Sequence, residues 1–205
     1  MGGNRFPGAP RTFSRKICRM NSIPLTLTTL RLLLGPVTLL CAVEGAPRFV
    51  YAPILVAGTL SDIFDGIIAR RLGVATDALR RYDSITDVIY YLFVLAAVWI
   101  LRRPLVVADR QAIALIVASE GAALLVSFLK FGKYPATHSY LAKFYGLCLL
   151  GTLILVLSFD SFGWTIVALA VVALITNIEI IAIHLLMDLP PVDVRSVFAL
   201  PARKA

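Results

Sequence analysis

Apolar residues dominate this chain in six long runs: Leu25–Val43, Phe49–Ala69, Ser84–Leu101, Ala112–Leu129, Phe144–Phe159 and Trp164–Met187. Crossing the hydrocarbon of a bilayer takes about 20 apolar residues in a helix. The fifth run is the shortest and is predicted to extend back into the preceding loop. Polar punctuation separates the runs at Gly45-Ala46-Pro47, Arg102-Arg103-Pro104, Gly132-Lys133-Tyr134-Pro135 and from Asp160 to Gly163, and Pro190-Pro191 follows the last. The pattern predicts an all-α integral membrane protein with six transmembrane helices. Pro7, Gly8 and Pro10 favour disorder over the first ten residues. Residues from Arg11 to Met20 are predicted to form a short juxtamembrane amphipathic helix. Phe6 stands where a myristoylation signal needs Ser or Thr. A basic stretch before an apolar run also fits a secretory signal, but this run is too long and no A-x-A site ends it, so it reads as an uncleaved first span. The predicted organisation is a basic tail over 1–20, a membrane domain over 21–187 and a cytoplasmic tail over 188–205. No internal repeat or low-complexity tract interrupts it.

Composition sharpens the class. Of 205 residues, 59% are hydrophobic and 16% charged, with a mean hydropathy of +0.86. Soluble domains run at roughly 45–50% apolar and about 25% charged, so an ordinary soluble domain is excluded. The formal net charge is +8. Its basic residues fall between apolar runs rather than along one broad face, which argues against a nucleic-acid partner and for an anionic membrane surface. They are also one-sided. The N-terminal tail (Arg5, Arg11, Arg15, Lys16, Arg19), the second-to-third connection (Arg70, Arg71, Arg80, Arg81), the fourth-to-fifth (Lys130, Lys133, Lys143) and the C-terminal tail (Arg195, Arg203, Lys204) far outweigh Arg48, Arg102, Arg103 and Arg110. The predicted orientation puts both termini and these connections in the cytoplasm. Cys18, Cys41 and Cys148 share no CxxC spacing and read as free thiols.

The candidate chemistry lies in SDIFDGIIARRLGVATDALRRYDSITDVIYY, Ser61 to Tyr91. Asp62 and Asp65 are three apart at the end of the second span, and Asp83 and Asp87 are four apart at the start of the third. Each spacing puts a pair on one helical face. The connection is short enough for antiparallel neighbours, so two carboxylate pairs are expected to converge near the cytoplasmic boundary. Two like charges about 4 Å apart repel by about 4 kcal/mol at an effective dielectric of 20, so protons or cations must offset them. An all-oxygen set suits Mg²⁺, Mn²⁺ or Ca²⁺, and two ions about 3.5–4 Å apart could bridge phosphates. Gly66 and Ala69 leave the same stripe without bulk, so a ligand can lie against the helix. Carboxylates that merely mark a solvated helix end are the alternative, and four on facing stripes speak against it.

The stretch resembles the signature of the CDP-alcohol phosphotransferase (CDP-alcohol phosphatidyltransferase) family, D-x2-D-G-x2-A-R-x8-G-x3-D-x3-D. Asp62, Asp65, Gly66, Ala69, Arg70, Asp83 and Asp87 match at the family spacing, while Leu79 stands at the second glycine. Leu79 is four before Asp83, on the metal-facing stripe if the helix extends back, where it bears on substrate identity and activity. The entry to span one, Asn21-Ser22-Ile23-Pro24 through Thr28 and Arg31 to Pro36, resembles the family's P-N-x-L-T-x-x-R-x4-P, with Leu25 where Asn is usual. The resemblance implies a membrane transferase of phospholipid biosynthesis, likened over residues 21–187. Mg²⁺ or Mn²⁺, two ions, would be held by Asp62, Asp65, Asp83 and Asp87. Gly66, Ala69, Arg70 and Thr28 would bind the CDP moiety and Asp87 would act as catalytic base. The expected partners are a CDP-linked donor such as CDP-diacylglycerol, an alcohol acceptor and membrane lipids, in a homodimer of a bacterial-type inner membrane with its site at the cytoplasmic face.

Several residues keep two readings. Arg31 inside a span needs a counter-charge, either the aspartates or a phosphate, or snorkels to the headgroups. Lys130, Lys133, His138 and Lys143 could hold an acceptor phosphate or simply follow positive-inside topology. Glu120 and Glu179 are lone carboxylates within spans. His184, Tyr90, Tyr91 and Trp99 fit packing or interface anchoring. Two other functions remain open: a cation or proton transporter built on intramembrane carboxylates, and an inactive family member that serves as a binding partner.

Overall fold

A computed structural model of the chain describes residues 11–74, 77–132, 139–159, 163–187, 194, 196 and 197, with the side chains of 11–22, 77, 78, 80, 81 and 84 outside that description. The described residues contain helices and no strand. In chain order they are α1 (Arg11–Val43), a 3-10 turn (Arg48–Val50), α2 (Tyr51–Leu72), α3 (Asp77–Ala108), α4 (Arg110–Phe131), α5 (Tyr140–Ser158) and α6 (Gly163–Leu186). Among the described residues, six stretches are long and apolar enough to cross a membrane: Ile23–Val43, Arg48–Leu72, Ile85–Ala108, Arg110–Phe131, Tyr140–Ser158 and Gly163–Leu186. The six-helix expectation therefore holds.

Local chemistry explains where the helices stop. Gly73 adopts φ 66° after α2 and returns its N–H to Arg70 O, while Val74 N–H reaches Ala69 O. That closure uses a left-handed residue, which glycine takes without strain. Gly132 ends α4 in the same way at φ 62°. Ser139 caps α5 by accepting from Ala142 N–H at 3.2 Å, so the fifth helix does begin earlier than its apolar run.

Two boundaries differ from the sequence reading. The segment from Arg11 to Met20 is helical but continues into the first span without a break, passing through Pro24 and Pro36. Arg102-Arg103-Pro104 does not end α3: Arg102 alone leaves helical geometry (φ −132°, ψ 28°), and the helix resumes through Pro104 to Ala108. Pro104 sits in the first turn after that kink, where a missing N–H leaves no bond unmade. Arg102 then donates from Nε to Val156 O at 2.8 Å and from Nη2 to Phe159 O at 3.0 Å.

The chain divides into two compact units, Met1–Ile100 and Leu101–Ala205. In the first, buried positions recur at helical spacing: Thr28, Arg31, Gly35, Thr38 and Ala42 on α1; Tyr51, Leu55, Gly58, Ser61, Asp65 and Ala69 on α2; Thr86, Tyr90, Val94 and Ala97 on α3. These stripes are small or polar. Large apolar side chains such as Leu33, Leu40, Leu60, Leu92 and Leu95 face outward. That inversion suits a chain whose solvent is lipid, where small residues and buried polar contacts hold helices together. Glycines set the approach. A Cβ on Gly35 would stand 3.0 Å from Phe93 Cδ2 and 3.3 Å from Tyr90 Cα, and one on Gly58 would stand 2.5 Å from Tyr90 Oη. Tyr90 thus wedges between α1 and α2 from α3.

The second unit follows the same rule. α6 packs against α4 and α5 and buries Ala170, Ala173, Thr176 and Asn177. Asn177 Nδ2 donates to Ser119 Oγ of α4 at 3.1 Å, and Ser119 donates on to Ile116 O.

Gly58→Ala is expected to destabilise the first unit by about 1–3 kcal/mol through overpacking against Tyr90. Thermal unfolding of detergent-solubilised protein reads the loss, and adding Tyr90→Val should recover much of it. No recovery would mean that the Gly58–Tyr90 contact is not what limits stability.

Candidate functional site

The α1, α2 and α3 stripes meet at one cluster. Arg31, 2% exposed, is its centre. Its Nη1 donates to Asp62 Oδ1 at 2.6 Å and to Asp87 Oδ1; its Nη2 donates to Asp65 Oδ2 at 2.7 Å and to Asp83 Oδ1 at 2.6 Å. Each nitrogen therefore bridges one carboxylate of α2 and one of α3. The pairing runs 62 with 87 and 65 with 83, as two antiparallel helices require. The four aspartates do converge, and Arg31 is paired with them rather than reaching for headgroups.

Thr28, one turn before Arg31 on α1, has its hydroxyl 2.9 Å from Asp65 Oδ2 and 3.0 Å from Pro24 O. Its single proton is shared between a carboxylate and a backbone carbonyl. Asp65 is consequently the most enclosed of the four, its side chain 5% exposed against 46% for Asp62. Asp83 and Asp87 are about one-third exposed. The cluster is open on the Asp62–Asp87 side and closed on the Asp65 side. The aspartates lie deeper than helix ends: Asp65 is seven residues before the end of α2, about 10 Å along the axis. α3 also starts early, at Asp77, so Leu79 is helical, half-buried and one turn before Asp83 on the same face.

Gly66 and Arg70 form a second feature of α2. A Cβ on Gly66 would meet Arg70 Nη1 at 3.5 Å and Nη2 at 3.7 Å, so the guanidinium lies over the glycine. Ala69 is buried beside them. One contact escaped the sequence reading: Tyr82 Oη of α3 lies 3.1 Å from Thr29 Oγ1 of α1, at the edge of the cluster. The neighbours Thr28 and Asp83 were the signal for it.

The basic candidates of the other connection belong to the second unit. Lys130 donates from Nζ to Leu185 O at 2.9 Å, and Lys143 stands over the Tyr140 ring at 5.7 Å. Lys133 and His138 lie outside the described residues. Glu120 is exposed on α4. Glu179 accepts at Oε1 from Ser196 Oγ (2.9 Å) and Val197 N–H (3.3 Å), tying the C-terminal segment to α6. His184 is fully buried, with Nδ1 2.6 Å from Ile180 O. Cys41 and Cys148 are free.

A cation fits the cluster on the chemistry of its donors. Asp62, Asp83 and Asp87 each present an oxygen, all within 4.8 Å of one another. Hard divalent ions favour oxygen-only sets of this kind. One guanidinium among four carboxylates still leaves a net negative site.

Six membrane-length helices among the described residues, with an acidic cluster where three of them meet, define a multi-pass integral membrane protein whose carboxylate oxygens are grouped closely enough to share a hard cation. Residues 21–177 match CDP-alcohol phosphatidyltransferase, more than half of the chain, and the protein belongs to that family. The family comprises transferases that act on CDP-alcohols and are generally metal-dependent. No curated protein and no solved structure matches the chain significantly.

Proposed function

We propose that this protein transfers a phosphatidyl, or other substituted phospho, group from a CDP-linked donor to an alcohol and releases CMP, as a step of phospholipid biosynthesis. CDP-diacylglycerol is the preferred donor because its acyl chains can stay in the bilayer while its headgroup meets a site made by membrane helices. The observation that carries the reading is the convergence of Asp62, Asp65, Asp83 and Asp87 on a single point. The positive-inside pattern of the connections supports a site at the cytoplasmic face, where CDP-linked donors and polar alcohols are available.

The roles follow from chemistry. Asp62, Asp65, Asp83 and Asp87 would hold two Mg²⁺ or Mn²⁺ ions, which when bound offset charge on the donor's pyrophosphate and on the departing phosphate. Gly66 lets the nucleotide approach the α2 backbone, with Ala69 beside it and Arg70 above it to meet phosphate charge. Thr28 keeps Asp65 oriented by its hydrogen bond. Asp87, on the open side, takes the proton of the acceptor hydroxyl. That oxygen then forms a bond to the β-phosphorus of the donor, the bond from this phosphorus to the bridging oxygen breaks, and CMP leaves with the electron pair. Lys130, Lys133 and Lys143 serve as cationic candidates for an acceptor phosphate or lipid headgroup. Leu79, in place of a glycine one turn before Asp83, narrows the approach from α3 and so selects among acceptors.

A CMP-release assay with CDP-diacylglycerol and a panel of glycerol phosphate, inositol, inositol phosphate, serine, choline and a second lipid should give turnover with one acceptor class. Release from none of them would count against the transferase reading. Asp87→Asn should lower turnover by about 100-fold or more, the scale of a lost general base, while the protein still inserts; wild-type turnover removes Asp87 from the mechanism. EDTA should stop turnover and Mg²⁺ or Mn²⁺ should restore it, with persistence in EDTA as the contrary result.

A further inference from the structure

We propose that Arg31 is the resident counter-cation of the aspartate cluster, that a divalent metal displaces it, and that guanidinium and metal therefore exclude each other from the same carboxylates. The inference rests on the metal-site reading above and goes beyond it.

Three observations carry it. The oxygens grouped closely enough to share an ion belong to Asp62, Asp83 and Asp87, and Arg31 donates to all three residues as well as to Asp65. The space between the carboxylates is thus filled by the guanidinium itself. Second, Arg31 Nε is buried with no hydrogen-bond partner among the described residues. Its hydrogen bonds run through the two Nη groups, with no third at Nε. Third, charge decides the direction of exchange. Four carboxylates and one guanidinium leave a net charge of about −3, so divalent ions are still attracted, while a guanidinium kept in place beside them is repelled.

The consequence is a site that is stable in two states. Without metal, Arg31 offsets the repulsion among the carboxylates and keeps α2 and α3 in register. With metal, the guanidinium is released beside the cluster, where an arriving pyrophosphate offers it new oxygens. Arg31 is on this account a positioning residue for the aspartates first and a phosphate partner afterwards.

The test uses the full chain in detergent micelles and no CDP-linked substrate. Mn²⁺ binding is measured by electron paramagnetic resonance for wild type, Arg31→Gln and Arg31→Lys. Arg31→Gln should bind roughly tenfold or more tightly than wild type, because a competing positive charge is gone, and Arg31→Lys, which keeps the charge but not the fork, should fall between the two. In EDTA the unfolding temperature of Arg31→Gln should fall below that of wild type, and saturating Mn²⁺ should close the gap. A folded Arg31→Gln that binds Mn²⁺ no more tightly than wild type overturns the antagonism. If Arg31→Gln does not fold, wild type decides, with Arg31→Lys serving only to assign its resonances. Its buried Arg31 side-chain resonances, assigned by their loss in Arg31→Lys, should be slow to exchange with water in EDTA and fast with Mg²⁺. Resonances unchanged by saturating Mg²⁺ overturn the displacement. Absence of Mn²⁺ binding in all three proteins would instead overturn the metal site, and with it the function proposed above.

Discussion

An arginine enclosed within a membrane-length helix is tolerable only with anionic partners, since the penalty for burying one charge is several kcal/mol. Arg31 meets that requirement through four aspartates from two other helices. The reverse also holds: four carboxylates in a low-dielectric setting repel until a cation stands among them. This mutual need fixes the rotation and depth of α1, α2 and α3 together. Rotating any one helix by a residue would carry its polar stripe out to lipid and leave charges unmatched on the others.

The remaining contacts of the first unit serve that alignment. Gly35 and Gly58 admit Tyr90 just below the aspartates, and Thr29 with Tyr82 closes the edge between α1 and α3. Outside this interior the helices expose leucine, valine and phenylalanine. Apolar burial therefore has little to do with choosing the register, because lipid is as favourable a neighbour for those side chains as another helix. Polar matching and steric fit at the glycines choose it instead.

What could be read in the letters follows from the same division. Aspartates three and four apart announce a shared face from local geometry alone, and the structure brings all four together. Long apolar runs likewise announce spans. Arg31 was readable only as a residue that needs a partner, since which partner depends on the rotation of α1. Helix ends were harder. At Arg102-Arg103-Pro104, charge and proline argue for a loop, yet a single non-helical residue absorbs the change and carbonyls near the end of α5 take the Arg102 guanidinium. The Arg11–Met20 segment joins α1 because nothing in it stops a helix, and Pro24 is accommodated within one. Glu179 found its partners 17 and 18 residues away, past the end of α6, a pairing no periodicity could reveal.

The use of arginine rather than lysine at the centre carries its own argument. A guanidinium offers two Nη groups in a rigid fork. Here each takes one carboxylate from α2 and one from α3, so the two helices are joined by two rungs. Along α2 the rungs are three residues apart, about 4.5 Å of rise. A single ammonium could satisfy one rung and leave the other repelling. The fork thus holds, in one side chain, all four of the carboxylates proposed to take the metal ions. A site arranged in this way is kept assembled by a charge of the same sign as the ions proposed to work there.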